Sequence, residues 1–452
     1  MEETKKLAQF VTATGFNDLP MVTVLEAKLA FLDWLAVTLG AVSDPTGDSM
    51  LEVVRLVGGE PQATVLGRNF KTSVLNATLL NGMTSHILDF DDTSIEFGGH
   101  PSVTLFPALL ALAEWKRQSG RDFITAYVLG FEMGCRVNLG ATPTHYLAGW
   151  HATSTIGHFS AAAGAGKLLG LTPEQLVFAL GTAGTQAAGL KIVFGTSGKP
   201  FHAGKAAFNG LLSSLLAERG FTSVDNILEA PKGFWELYAS QHQAEKALEG
   251  IGETWYILKN NHKFHASCHG THAPIEAALA MQKECSLEVG KIDEIDIQVH
   301  SAMFEVAGKE TPTTGLEGKF SIPYAVANAL LSGDTGLSAF TNEKVNNPEV
   351  VALRDKIHAT ANDQLGLFEA EMKVHSAGKE YGKRFDMLQN PMTAKDMRQR
   401  IQTKFKSLAG LSLDKRCIEE IVDRVDHLER ETNMADMAAL LAGAKKEKHD
   451  VR

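Results

Sequence analysis

The sequence predicts a mainly α protein in which a large all-helical bundle domain is accompanied by a smaller α+β domain. Three observations carry this. Apolar residues recur at three- and four-residue spacing from Pro20 to about Gly220, the signature of amphipathic helices. Strict alternation of apolar and polar residues sets in only after about Glu284. Helical spacing returns from Thr393 onward. A chain of 452 residues also exceeds the roughly 250–300 residues at which one hydrophobic core stops growing, so more than one domain is expected. The boundaries are drawn as 1–265 with 396–452 for the helical domain and 266–395 for the α+β domain, the C-terminal helices rejoining the first.

The elements follow in chain order. Leu25, Leu29, Leu32 and Leu35 mark an early helix, and Leu105, Leu109, Leu112 and Trp115 a second. Small residues crowd SAAAGAGKLLG (160–170) and LGTAGTQAAG (180–189), which lets helix backbones approach closely. The weakly charged stretch Leu176–Gly195 reads as a buried helical hairpin rather than a membrane span. Ile295, Ile297 and Val299 alternate with Asp296, Gln298 and His300, and Phe368, Ala370, Met372 and Val374 alternate with Glu369, Glu371, Lys373 and His375, giving two half-buried strands. Between them, 321–333 and 347–357 read as helices, the second with Asn347 as cap and Pro348 in the first turn. KDMRQRIQTKF and RCIEEIVDRVDHLE complete the chain as helices.

Composition narrows function. With 43 basic against 53 acidic residues and a net charge of −10, the chain has no general attraction for nucleic acid or anionic membranes. The polar, mixed-charge start MEETKKLAQFVTATGF is no secretory signal, so a cytoplasmic protein is expected. Its four scattered cysteines are expected as thiols.

Five segments hold the unusual polar residues. In 85–102, Asp89, Asp91, Asp92 and Thr93 precede a Gly-Gly loop and His100; this is either a capped helix end, a hard-cation site or a substrate site. In 148–158, His151 precedes Thr153, Ser154 and Thr155 at an expected helix start, whose N–H groups favour anions, while His158 reads as structural. In 194–210, Lys199 lies between Gly198 and Pro200 in an expected loop, with Lys205 opening the next helix. Neither Gly-Lys pair is followed by Ser or Thr, and GAGKLLG lacks dinucleotide spacing, so no nucleotide cofactor is implied. In 260–272, Lys263, Cys268, His269 and His272 cluster, a possible zinc set whose spacing fits no common module. In 319–325, Tyr324 opens a helix.

Taken in order, DFDDT…HP, GWHATST, SGKP…HAGKAA, K-x4-C-x3-H and FSIPY resemble the motifs of the MmgE/PrpD family of 2-methylcitrate dehydratases, cis-aconitate decarboxylases and iminodisuccinate epimerases. The likeness runs over nearly the whole chain. It implies a helical domain built from both chain ends, an α+β lid, an active site between them, a homodimer, a small di- or tricarboxylate substrate, and no metal or organic cofactor. Carried over residue by residue, the family site falls on Asp89, Thr93, His100, His151, Lys199, Lys263 and Tyr324, with Cys268 and His269 added as substrate contacts. Decarboxylase members carry histidine where Cys268 stands, and the loop from Thr93 to His100 is a residue longer here. Both departures count against decarboxylation and leave the dehydratase and epimerase branches open; the reading taken is a lyase of the 2-methylcitrate dehydratase type, with the epimerase and decarboxylase reactions as alternatives. A metal-binding or non-catalytic helical scaffold is the alternative from another class.

These reactions begin or end at carbon beside a carboxylate, and the enolate-like charge needs preorganised cations. Lys199 and Lys263 are expected to supply them. His100 and His151 are expected to move protons, Tyr324 to assist hydroxide departure, Asp89 to orient an imidazole or bind a hydroxyl, and Thr93 to donate a further hydrogen bond.

Overall fold

In the computed structural model of the chain, residues 2–285, 287–389 and 392–443 are described. The expected helical domain's last residues, 444–452, lie outside this set. Contacts divide the chain into two compact units, Met1–His262 with Ile401–Arg452 and Lys263–Arg400. No helix among the described residues is long and apolar enough to cross a membrane.

The first unit is helical, with α1 Glu3–Ala13, α2 Met21–Gly40, α3 Pro45–Val57, α4 Val74–His86, α5 Ser102–Lys116, α6 Gly120–Ala141, α7 Thr144–Leu147, α8 Ala152–Leu169, α9 Pro173–Gly184 and α10 Gly198–Glu218. Local chemistry sets several starts. Ser73 and Ser119 cap α4 and α6, and Thr172 and Gln175 form a capping box ahead of α9. Nearly every residue of α8 is buried, its hydroxyls and His158 included, because its run of Ala and Gly lets neighbouring helices close in around it.

Small residues bring these helices close. A Cβ on Gly210 of α10 would lie 2.5 Å from the Ala161 Cβ of α8, and one on Gly82 of α4 would lie 2.6 Å from the Gly204 Cα of α10. The second crossing has no room for any side chain, and it sets the ends of α4 and α10 side by side.

The C-terminal segment is bound to α2: Ser412 Oγ donates to the Leu39 carbonyl at 2.8 Å, Lys28 Nζ donates to the Asp426 carbonyl at 3.0 Å, and Gly40 packs against Leu408.

The second unit holds a four-stranded sheet of order β4-β3-β5-β6, with β3 Ile292–Val299, β4 Ile357–Ala361, β5 Glu369–Ser376 and β6 Lys379–Asp386; the first unit carries a short antiparallel pair, β1 Ala63–Val65 and β2 Phe70–Thr72. Strands β3 and β4 are parallel and the other neighbours antiparallel. The register sets Ile295 opposite Val374, Ile297 opposite Met372 and Val299 opposite Ala370, all buried. The β5–β6 turn takes positive φ at both Ala377 and Gly378 (52° and 75°), the backbone of a two-residue hairpin turn that follows strand twist. Helices His272–Cys285 and Ile322–Ser332 pack in this unit, the first against β5 and β6.

Four sequence expectations change. Lys199 is not in a loop but in the first turn of α10, where the missing N–H of Pro200 leaves no helical bond unmade. Lys205 consequently lies inside that helix. Leu176–Gly195 is no buried hairpin: α9 ends at Gly184, and Leu190 and Ile192 are 51% and 86% exposed. Leu25 is exposed, and Val24, Ala27 and Phe31 carry the inner face of α2.

Candidate active site

The α4–α10 crossing brings together the chemistry of the first unit. His86 closes α4 one turn after Gly82, and Lys199 and His202 lie at the start of α10 just before Gly204. The loop between α4 and α5 adds Asp89, Asp91 and His100. Asp89 takes φ +50°, a left-handed conformation that Asp tolerates better than most residues. Gly99 packs so tightly on Thr153 that a Cβ would lie 2.5 Å from its Oγ1, and the His100 N–H donates to that same hydroxyl at 3.1 Å. The loop is thereby fixed to the start of α8, where His151 stands at the cap position with its N–H donating to the Gly189 carbonyl at 3.0 Å.

Asp91, fully buried, lies 3.0 Å from His86 Nδ1 and 2.8 Å from His100 Nδ1. Burial works against its ionisation most strongly, but the charges of His100 and then His86 outweigh it and hold the carboxyl well below its usual range. An ionised carboxylate only accepts, so the His86 ring presents its Nδ1–H to it, while His100 Nδ1 stands at ion-pair distance. On the far side of His100, Nε2 lies 3.6 Å from Asp89 Oδ1, whose other oxygen pairs with Lys199 Nζ at 2.8 Å. The result is one alternating row: His86, Asp91, His100, Asp89, Lys199.

Beside it, His151 Nδ1 lies 3.0 Å from His202 Nδ1, and the His86 and His151 rings are 6.4 Å apart. Burial first, then the charges of His86, Lys199, His202 and His100, depress the His151 pKa strongly, so its imidazole is neutral at neutral pH. The neutral ring has the lone pair a base needs, while the burial and neighbouring charges that keep it neutral also lower its proton affinity, so it takes a proton only with a partner that relieves it of one.

A second buried layer holds the loop from behind. Lys404 Nζ donates to the Phe90 carbonyl at 2.6 Å and pairs with Asp33 at 2.6 Å. His262 lies 2.7 Å from Glu26 and 3.4 Å from Asp33; burial opposes its charge, but these carboxylates raise its pKa to about 10. Asp92 accepts from Ser102 Oγ at 2.6 Å and Asn260 Nδ2 at 2.8 Å, and burial pushes it up to about 6. Thr93 exchanges backbone hydrogen bonds with Asn261 at 2.9 and 2.8 Å.

His86, Asp89, Asp91 and His100 are the one set among the described residues whose ligand atoms could surround a cation. Carboxylates with imidazoles suit several divalent ions. Here, however, Asp89 already pairs with the Lys199 ammonium and Asp91 with two imidazoles, so the negative charge is met from within. Cys268, His269 and His272 form no such set.

The remaining expected residues belong to the second unit. Lys263 is buried, and the His269 ring lies 4.7 Å from that of His272 and 5.2 Å from Phe368. The Cys268 N–H donates to the Lys319 carbonyl at 2.8 Å. Tyr324 is completely buried, its N–H donating to Ser321 Oγ at 3.2 Å and its hydroxyl donating to the Ala339 carbonyl; burial pushes its pKa up to about 12.

The sequence did not single out His86 or His202. His202 lies three residues after Lys199 and so shares its helix face, a relation hidden when Lys199 is read as loop. His86 carries no such signal, because only the turn after α4 brings it against Asp91. His158 is structural, with Nδ1 2.6 Å from the Ser154 carbonyl and Nε2 2.9 Å from Asn209 Nδ2.

Residues 5–247 match the MmgE/PrpD N-terminal domain model and residues 265–427 the MmgE/PrpD C-terminal domain model. The chain is 27% identical over 470 residues to the cis-aconitate decarboxylase of Aspergillus terreus, covering 97% of this chain and 95% of that protein. It is 25% identical to the cis-aconitate decarboxylase of Mus musculus, over 97% and 93% of the two chains. To the mitochondrial 2-methylcitrate dehydratase of Yarrowia lipolytica it is 24% identical, over 80% and 72%.

Proposed function

Because this chain belongs to the MmgE/PrpD family, we propose that it is a lyase acting on a small di- or tricarboxylate, and that the reaction is elimination of water of the 2-methylcitrate dehydratase type. The observation that carries this reading is the juxtaposition of a neutral His151, a Lys199 ammonium and a His100 flanked by two carboxylates.

Each group then has a task. Lys199, released from Asp89, meets the substrate carboxylate and stabilises the charge that grows on it as the neighbouring C–H is broken. His151 Nε2 takes that proton, and the electron pair remains on carbon. His100, held between Asp91 and Asp89, delivers a proton to the departing hydroxyl, which leaves as water while the pair forms the double bond. Asp89 orients His100 and hydrogen-bonds the substrate. Lys263, Cys268, His269, Tyr324 and Thr93 join the proposal through their motifs, Lys263 as a second cation. No metal or organic cofactor is required by these steps, so chelation should leave turnover unchanged. Homodimeric assembly and a cytoplasmic location belong to the same proposal and are checked by light scattering and by cell fractionation.

A second reading is decarboxylation, favoured by decarboxylase relatives that align with 97% of the chain. It is disfavoured by the Cys268 motif departure. Incubation with hydroxy-tricarboxylates, cis-aconitate and amino-dicarboxylates in deuterated water, followed by NMR, separates the possibilities. Loss of the hydroxyl marks dehydration, loss of carbon dioxide marks decarboxylation, and deuterium uptake with inversion marks epimerisation. His151→Gln and Lys199→Gln should each lower kcat by about 10²–10⁴ with the fold intact. Near-normal rates in either variant remove that residue from the scheme.

A further inference from the structure

His202 is the histidine of the HAGKAA motif, to which the resemblance assigned no role, and its Nδ1 lies 3.0 Å from His151 Nδ1. Two ring nitrogens at that distance must share one proton, since two lone pairs would repel and two N–H groups would collide. One ring donates and the other accepts.

The surroundings keep this contact in place. Gly189 takes φ +138°; a Cβ there would lie 3.3 Å from His202 Nδ1 and 2.6 Å from Ser154, so only glycine leaves space for the pair. The Gly189 carbonyl accepts the His151 N–H, and the Phe194 ring meets His151 edge-on with centroids 5.0 Å apart. His151 is 2% exposed, whereas His202 is only half-buried on the first turns of α10. The two rings therefore form a short path from the buried nitrogen toward solvent.

We propose that His202 is the positioning residue of the base: it accepts the His151 Nδ1–H, which leaves His151 Nε2 bare, and it takes over that proton once His151 has captured one from substrate. The chemical half of this rests on the function proposed above; the tautomer half does not. Protons balance as follows. An N–H bond forms at His151 Nε2 as the substrate C–H breaks, and the His151 Nδ1 proton crosses to His202 Nδ1. His202, briefly cationic, then releases its Nε2 proton to water. Both rings end neutral with their tautomers exchanged, and protons moving the opposite way reset them.

Two variants separate the roles. His202→Gln keeps an acceptor for the His151 Nδ1–H but cannot carry a proton onward, whereas His202→Phe removes both functions. Nitrogen-15 NMR of the histidine-labelled enzyme without substrate should show His151 protonated at Nδ1 in the wild type and in His202→Gln. In His202→Phe it should show loss of that tautomer. In turnover, His202→Gln should lower kcat about tenfold at unchanged KM, with recovery on adding free imidazole, and His202→Phe should lower it by about 10².

A wild-type spectrum with His151 protonated at Nε2 overturns the positioning role. Unchanged kcat in His202→Gln overturns the relay. A wild-type enzyme inert toward every polycarboxylate tried would instead sink the proposed function, and the spectra would still decide the tautomer.

Discussion

Asp91 carries more of the site than any other single side chain, because two imidazoles take their orientation from one buried carboxylate. Asp91→Asn keeps the shape but not the charge. It should cost about 3–5 kcal/mol in denaturant unfolding, as broken buried pairs do, and lower kcat by at least about 10². Retention of both would show that the row from His86 to Lys199 is not held from this point.

His158 offers a test on pH alone. Both ring nitrogens are satisfied in the neutral form, and burial lowers its pKa to about 4. Unfolded, it takes a proton near pH 6.5, so the unfolded state binds more protons between pH 6.5 and 4 and stability falls as pH falls through that window. The size is roughly 3 kcal/mol, and His158→Gln should flatten the profile there in pH-resolved denaturation. At this scale the sequence was informative where the residue type was unusual for its setting, as with His100, His151 and Lys199. It was silent on His86, whose role is made by a turn in space rather than by spacing.

Among the elements, the contact of α4 with α10 decides whether the site exists, since it places His86 beside Lys199 and His202. Gly204→Ala would set a methyl 2.3 Å from the Leu79 carbonyl oxygen and 2.8 Å from the Met83 nitrogen. Backbone cannot yield there as a flexible side chain would. Unfolding free energy should drop by about 1–3 kcal/mol, and kcat should fall even though no reacting group has been touched. Normal kcat in a destabilised variant would show that the crossing supports the fold but not the chemistry.

The strands β3 and β5 were legible because their alternation has a single burial solution, Ile295, Ile297 and Val299 against Val374, Met372 and Ala370. The start of α10 was not, because proline forbids a helix interior yet suits a first turn. The pair β1–β2 was too short, at three residues each, to leave a period in the sequence.

For the molecule as a whole, the first unit draws on residues before 262 and after 401. Lys404 ties the two segments where the interior is least forgiving: it neutralises Asp33 and grips the peptide between Asp89 and Asp91. Lys404→Met should remove about 3–5 kcal/mol of stability by leaving Asp33 buried beside too little positive charge. It should also depress turnover, because the Phe90 carbonyl loses its donor. A variant with wild-type unfolding free energy would show that His262 alone suffices for Asp33. That the C-terminal segment is helical was readable from its periodicity, but Lys404 looked like any solvated lysine on such a helix.

That same residue has a consequence for how the protein comes into being. Translation delivers α1–α10 and strands β1–β6 before it delivers Lys404, so in the nascent chain the Phe90 carbonyl lacks this donor and Asp33 has His262 beside it but not yet Lys404. The loop carrying Asp89 and Asp91 therefore gains the donor to its Phe90 carbonyl from a helix made after the strands and helices that surround it in sequence.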